Sequence, residues 1–147
     1  MREDQVPEHL LSVPCPEFST RPWQQGVVLS QRKVALISTA GLMHKSDRPF
    51  SLGHVDYRII DTASDSPLVM THISTNFDRS GFVQDHNLVL PLDRLHELAD
   101  AGEIGSVSRY HYSFMGATEP EKMEPAARLL AQNLAGDEVD LALLIPV

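Results

Sequence analysis

A single cysteine, few cations and no apolar stretch near the roughly 20 residues needed to cross a bilayer set the first limits on this chain of 147 residues. Cys15 alone excludes an internal disulfide and a thiolate metal cluster. It lies between Pro14 and Pro16, with no basic neighbour to depress its pKa, and reads as inert rather than reactive. Only 12 Lys and Arg face 20 Asp and Glu, a formal net charge of -8. That balance excludes a general electrostatic surface for nucleic acid or an anionic membrane, because both are held largely by Lys and Arg. No secretory apolar region follows Met1 to Gln5, so the expected setting is the cytoplasm. The sequence also lacks GxGxxG, a Walker pattern, HExxH and GxSxG, which leaves nucleotide binding, zinc-protease and serine-hydrolase chemistry without a motif.

What is present suits one globular domain with a real core, since 42% of residues are hydrophobic. Residues 1–32 carry four prolines and read as an irregular N-terminal arm, with a short helical turn near Glu8 to Leu11 and Trp23 anchoring it to the core. Residues 33–147 read as an α/β domain. Val34 to Thr39 is an apolar run that turns polar before Ala40 and Gly41, as a central parallel strand entering a tight turn does. Val55 to Asp61 and Pro67 to Ser74 read as strands, and a polar stretch follows from Thr75 to Leu90. Pro91 to Gly102 carries helix start and stop marks. Ser106 to Met115 reads as a strand with Tyr110, Tyr112 and Phe114 on one face and Arg109, His111 and Ser113 on the other. Thr118 to Glu121 matches a capping box before a helix whose Met123, Ala127, Leu130 and Leu134 form a core stripe; Pro125 is the alternative start. Val139 to Val147 reads as a buried strand. This alternation predicts a largely parallel sheet with flanking helices, a Rossmann-like three-layer arrangement. The last strand lacks the cover that a parallel strand needs on both faces. The domain is therefore expected to be incomplete at its C-terminus, and the bare apolar strip to drive self-association or cost solubility.

In open parallel sheets ligands gather beyond the carboxyl ends of the strands. This rule points to Ser38, Thr39 and the backbone amides before Gly41. His72 and His111 are candidate acid/base residues, because imidazole exchanges protons near neutral pH. With Asp78, Asp85 and His86 they are also a weak metal candidate, and a metal-dependent hydrolase using His72, Asp85 and His111 is one alternative reading. A non-catalytic small-molecule or partner-binding module is another.

Several segments, in order, carry a family resemblance: Arg21 to Trp23, Val34 to Gly41, Asp56 to Ile60, Leu90 to Leu95, Gly102 to Gly105, Tyr112 to Gly116 and the terminal strand. Together they resemble the glycine/sarcosine/betaine and D-proline reductase family, in its selenoprotein B type subunit. The resemblance implies reductive cleavage of a carbon–nitrogen bond in an amino-acid-type substrate, with a dithiol electron donor and other reductase subunits as partners. It implies no cofactor in this chain, any pyruvoyl group belonging to a separate subunit. In the family, selenocysteine or cysteine directly follows the strand that resembles Val139 to Val147. The expectation is a chain truncated just before its nucleophile, with none inside it and inactive by itself. The same resemblance makes Ser38, Thr39, Gly41, Asp85, Asn87, Ser113 and Gly116 candidate substrate-binding residues.

Overall fold

The apolar run that begins at Val34 forms the middle strand of the computed structural model, which describes residues 12, 17, 19–21, 23–74 and 79–147. The elements run β1 (Lys33–Ser38), β2 (Leu42–His44), β3 (Tyr57–Asp61), β4 (Leu68–Met70), α1 (Ser80–Gln84), α2 (Leu92–Asp100), β5 (Ser106–Val107), β6 (Tyr110–Phe114), α3 (Pro120–Gly136) and β7 (Leu141–Ile145). Val34, Ala35 and Leu36 of β1 are buried, as a strand covered on both faces requires. Along one edge β1 pairs in parallel with β7, from Val34 opposite Leu141 to Ser38 opposite Ile145. Along the other it pairs in parallel first with β5 and then with β6, which follow one another as a single interrupted strand.

The outer neighbour of β6 is β3, and it runs antiparallel, Tyr57 opposite Phe114 and Asp61 opposite Tyr110. The sheet is therefore mixed rather than the largely parallel, Rossmann-like one expected, although the α/β class holds. A second, two-stranded antiparallel sheet joins β2 to β4. Alternation along β3 reports which side chains are buried, not which way the strand runs, so its direction had no sequence signal.

Pleating divides the core as the alternation in β6 requires. One layer packs Val34, Leu36, Ile60, Val89, Leu90 and Leu95 of α2 together. The opposite layer packs Tyr112, Phe114 and Leu130 with Tyr57, Met123 and Leu134, so α3 covers β6 and β3. Tyr57 meets Tyr112 and Phe114 edge to face, with ring centroids 5.4 and 5.6 Å apart, a favoured aromatic geometry. The cover stops short of β7. Between α3 and the ends of β1 and β7 runs an apolar groove of about 1050 Å³, lined among others by Ile37, Phe114, Leu134, Leu144 and Ile145. Leu144 on its wall is 66% exposed.

Several local expectations need correction: no residue of Leu141–Ile145 is buried, so the terminal strand is not a buried one, and Ala127 is exposed while Ala126 takes its place in the α3 stripe. Trp23 is 73% exposed and lies near Arg32, whose guanidinium carbon is 6.0 Å from the ring centroid; it anchors nothing to the core. The capping box does not form, because the Thr118 hydroxyl donates to the His54 carbonyl at 2.9 Å and the N-cap, Glu119, makes no side-chain cap bond. Pro120 opens α3, where its missing N–H costs no helical bond, and the helix continues through Pro125. The helical turn near Glu8 to Leu11 and Cys15 lie outside the described residues.

Gly105 welds the lead-in to the sheet. Its amide and that of Ser106 both donate to the Arg32 carbonyl, at 3.0 and 3.1 Å. A Cβ there would sit 2.5 Å from the Gln31 carbonyl carbon, and backbone atoms yield little. We expect Gly105→Ala to lower stability by about 1–3 kcal/mol, read as a lower urea midpoint at unchanged slope. Gly136→Ala is the control. Its added Cβ meets nothing within 4 Å, and in a helix alanine is the better residue, so its midpoint should hold or rise.

Candidate functional site at the strand ends

Three parallel strands, β1, β6 and β7, finish at the same end of the sheet, and the residues just beyond them touch. Thr39 continues β1 by one residue, its amide donating to the Ile145 carbonyl at 3.1 Å. The backbone pairing of β7 with β1 ends at Ile145. The Thr39 hydroxyl takes over: Oγ1 accepts from the Val147 amide at 2.8 Å and lies 3.3 Å from the Val147 carbonyl, to which it donates.

Gly41 and Gly116 make this close packing possible, and both have positive φ, 65° and 86°. The Gly41 amide donates to the Phe114 carbonyl, while its carbonyl accepts from the Thr71 amide, each at 2.8 Å. A Cβ on Gly41 would lie 2.7 Å from the His72 amide nitrogen. One on Gly116 would lie 2.4 Å from the Thr39 carbonyl oxygen and 3.1 Å from His72 Nε2. Each position thus needs glycine twice over, for its φ and for space.

His72 is 5% exposed, so its ring is buried beside that junction. Nδ1 accepts from the Ser74 amide at 3.1 Å, which places the proton of the neutral ring on Nε2, the nitrogen against Gly116. Burial, and then the nearby Arg79 cation, hold its pKa below the usual histidine value. Arg79 in turn donates to the Ser74 carbonyl. A path of contacts therefore runs from Arg79 through Ser74, His72 and Gly116 to Thr39 and Val147. Arg79 and the backbone of Val147 were not among the candidates read from sequence; the signal available for Arg79 was a cation in an otherwise acidic and polar connection.

The remaining candidates lie elsewhere or serve the backbone. Ser38, His111 and Ser113 are buried completely. Ser38 Oγ accepts from the Ala40 amide at 3.2 Å, and Ser113 Oγ accepts from the Leu42 amide at 2.9 Å while donating to the Phe114 carbonyl at 3.2 Å. Both hydroxyls thereby shape the turn between β1 and β2. His111 Nδ1 accepts from the Leu36 amide at 2.9 Å. Asp85 and Asn87 form an exposed knot before α2: the Asn87 amide donates to Asp85 Oδ1 at 2.9 Å, and Asn87 Oδ1 accepts from the Asp93 amide at 3.1 Å. The Asn87 backbone bond is the main cause that lowers the Asp85 pKa. Among the described residues no group of three or more His, Cys, Asp or Glu stands where it can hold a metal ion; Asp78 lies outside them. Nor is any described helix long and apolar enough to cross a membrane.

Comparison with known proteins gives a consistent result. The family model described as glycine/sarcosine/betaine reductase selenoprotein B matches residues 7–146. D-proline reductase subunit gamma of Acetoanaerobium sticklandii is 30% identical over 120 residues, covering 79% of this chain and 49% of that protein. Sarcosine reductase complex component B subunit beta of Peptoclostridium acidaminophilum is 35% identical over 109 residues, 70% of this chain and 25% of the relative. The betaine reductase counterpart from the same organism is 29% identical over 115 residues, 74% and 26%. The chain thus spans about half the length of the first relative and about a quarter of the other two. No solved structure matches it.

The His111 geometry makes folding sensitive to acid. An imidazole nitrogen that accepts a backbone N–H cannot also carry a proton, and burial, followed by repulsion from His96, lowers the His111 pKa to about 4 against the opposing pull of the Ser108 backbone. Above pH 6.5 neither the folded nor the unfolded chain binds this proton. As pH falls from there towards 4 only the unfolded chain takes it up, so stability declines by about 3 kcal/mol in all. The depressed His72 pKa acts in the same direction. Urea midpoints at pH 7 and pH 4.5 should show this loss, and His111→Gln, which removes the titrating group but keeps an acceptor, should flatten it.

Proposed function

We propose, from the premise that this chain belongs to the glycine/sarcosine/betaine reductase selenoprotein B family, that its strand-end junction presents a selenocysteine or cysteine nucleophile carried directly after Val147. The observation that carries the reading is the contact of the Thr39 hydroxyl with the backbone of Val147 beyond β7, at a junction where Thr39 and His72 also close on Gly116. The carboxyl ends of parallel strands are the usual place for reactive groups. A selenol there is ionised at neutral pH, whereas a thiol at its reference pKa of about 8.5 is mostly protonated.

The reaction is reductive removal of an amine from an amino-acid-type substrate. The selenolate or thiolate attacks the carbon bonded to nitrogen, the carbon–nitrogen bond breaks, and the amine leaves with the bonding pair. A dithiol donor supplies the two electrons and two hydrogens, one ending on carbon and one on nitrogen, and becomes a disulfide. In this reading His72 contributes the hydrogen on Nε2 and Arg79 supplies positive charge for a substrate carboxylate. The named relatives are subunits of reductases, two of them of multi-component complexes, and other reductase subunits are the proposed partners here. The bare wall of the groove beside Leu144 also favours association of this chain with itself or with them.

The coding sequence past the Val147 codon provides the first test: an in-frame UGA or cysteine codon followed by further coding sequence is expected, and neither being present overturns the reading. The second uses the chain continued with cysteine directly after Val147 and Cys15→Ser. Its iodoacetamide rate should titrate below the ordinary thiol range; a midpoint near the reference value would count against a built nucleophile site. Unaided turnover of an amino-acid substrate by the 147-residue chain would overturn it as well.

A further inference from the structure

We infer that Thr39 is a positioning residue that aims the side chain of whichever residue follows Val147. The inference deepens the functional reading above and rests on it. A parallel strand ordinarily needs no help from a side chain once its ladder ends. Here the β7 ladder ends at Ile145, and the next amide that faces β1, that of Val147, bonds to a side chain instead of the β1 backbone. Thr39 Oγ1 recovers it at 2.8 Å and also meets the Val147 carbonyl at 3.3 Å. One hydroxyl thus meets both backbone polar groups of Val147. Fixing them sets the direction in which the chain leaves the sheet.

The backbone of Thr39 is confined at the same place. Its amide holds the Ile145 carbonyl at 3.1 Å. Its carbonyl lies where a Cβ on Gly116 would be only 2.4 Å away, so it is walled in by the β6 turn. The hydroxyl is therefore mounted on a backbone that has no freedom to follow a moving chain end. Valine has the same shape and the same preference for strands, and would satisfy packing at this site. What valine lacks is the ability to accept the Val147 N–H. The hydroxyl is thus explained by the direction of the chain beyond β7, and not by the fold of β1. Held in that direction, the proposed nucleophile leaves the sheet from the junction where Thr39 and His72 close on Gly116, and it is this fixed placement that we infer favours its anionic form. Released, it swings into water.

The test compares Thr39→Val and Thr39→Ser in the chain continued with cysteine directly after Val147 and carrying Cys15→Ser, with iodoacetamide as probe across pH 5 to 9. Thr39→Val should move the alkylation midpoint back towards the reference thiol value and slow the reaction at pH 6 by about three- to tenfold, a midpoint shift of about 0.5–1 unit expressed as thiolate fraction. Thr39→Ser, which keeps the hydroxyl, should restore the profile. A merely structural role predicts a lower melting temperature in Thr39→Val with an unchanged pH profile, and that result would overturn the inference while leaving the nucleophile site intact. Loss of the profile in Thr39→Ser as well as in Thr39→Val would equally overturn it, because the hydroxyl would then not be the active feature. An ordinary thiol midpoint in the chain with Thr39 in place overturns both the inference and the functional reading.

Discussion

One imidazole holds the middle of this sheet together. Between the short β5 pairing at Lys33 and Val34 and the β6 pairing at Ile37 and Ser38, the β1 ladder lacks a backbone partner for the Leu36 amide, and His111 Nδ1 supplies it. A buried donor left without an acceptor costs about 1–3 kcal/mol. Here it would lie in the strand to which β5, β6 and β7 all attach. The interruption itself has a use, because it turns the chain so that β6 rises beside the end of β1 and delivers Gly116 against Thr39. Fold and candidate site therefore share one hydrogen bond.

The same economy recurs around the core. His44 Nε2 accepts from the Asp61 amide at 3.1 Å and its Nδ1 donates to the Ser66 carbonyl at 2.9 Å, and His72 accepts from the Ser74 amide. Ser38 and Ser113 do likewise with hydroxyls. A mixed sheet with short strands leaves amides that no neighbouring strand reaches, and buried amides must find acceptors. Polar side chains within an apolar layer are the answer this chain uses, and each fixes a local backbone direction as well as a bond.

Much of this architecture was legible from residues. The run Val34 to Ser38, the Tyr112 and Phe114 alternation, the Pro91 and Gly102 punctuation and the stripe through Leu130 each report local burial, and each marks the element found there. The strand-end position of Thr39, Gly41 and Gly116 was also readable, from turn chemistry and from family resemblance. Partnership was not. Nothing in Tyr57 to Asp61 shows that β3 runs against β6, and Leu42 to His44 is too short to declare itself a strand. His111 and Ser113 were read correctly as one polar face, yet a face does not tell whether its members meet a ligand or an amide. The contact of His72 with Gly116 joins residues far apart in sequence, which no spacing rule reaches.

Proline at position 146 has a consequence beyond the turn it makes. Only the β1 side of β7 is paired among the described residues, and such an open border is a template on which foreign strands assemble into fibrils. A ring that carries no hydrogen on nitrogen cannot donate to an incoming strand, and its fixed torsion disfavours further extension. The border is thus kept to the five residues of β7, too brief a stretch to recruit a long intruder.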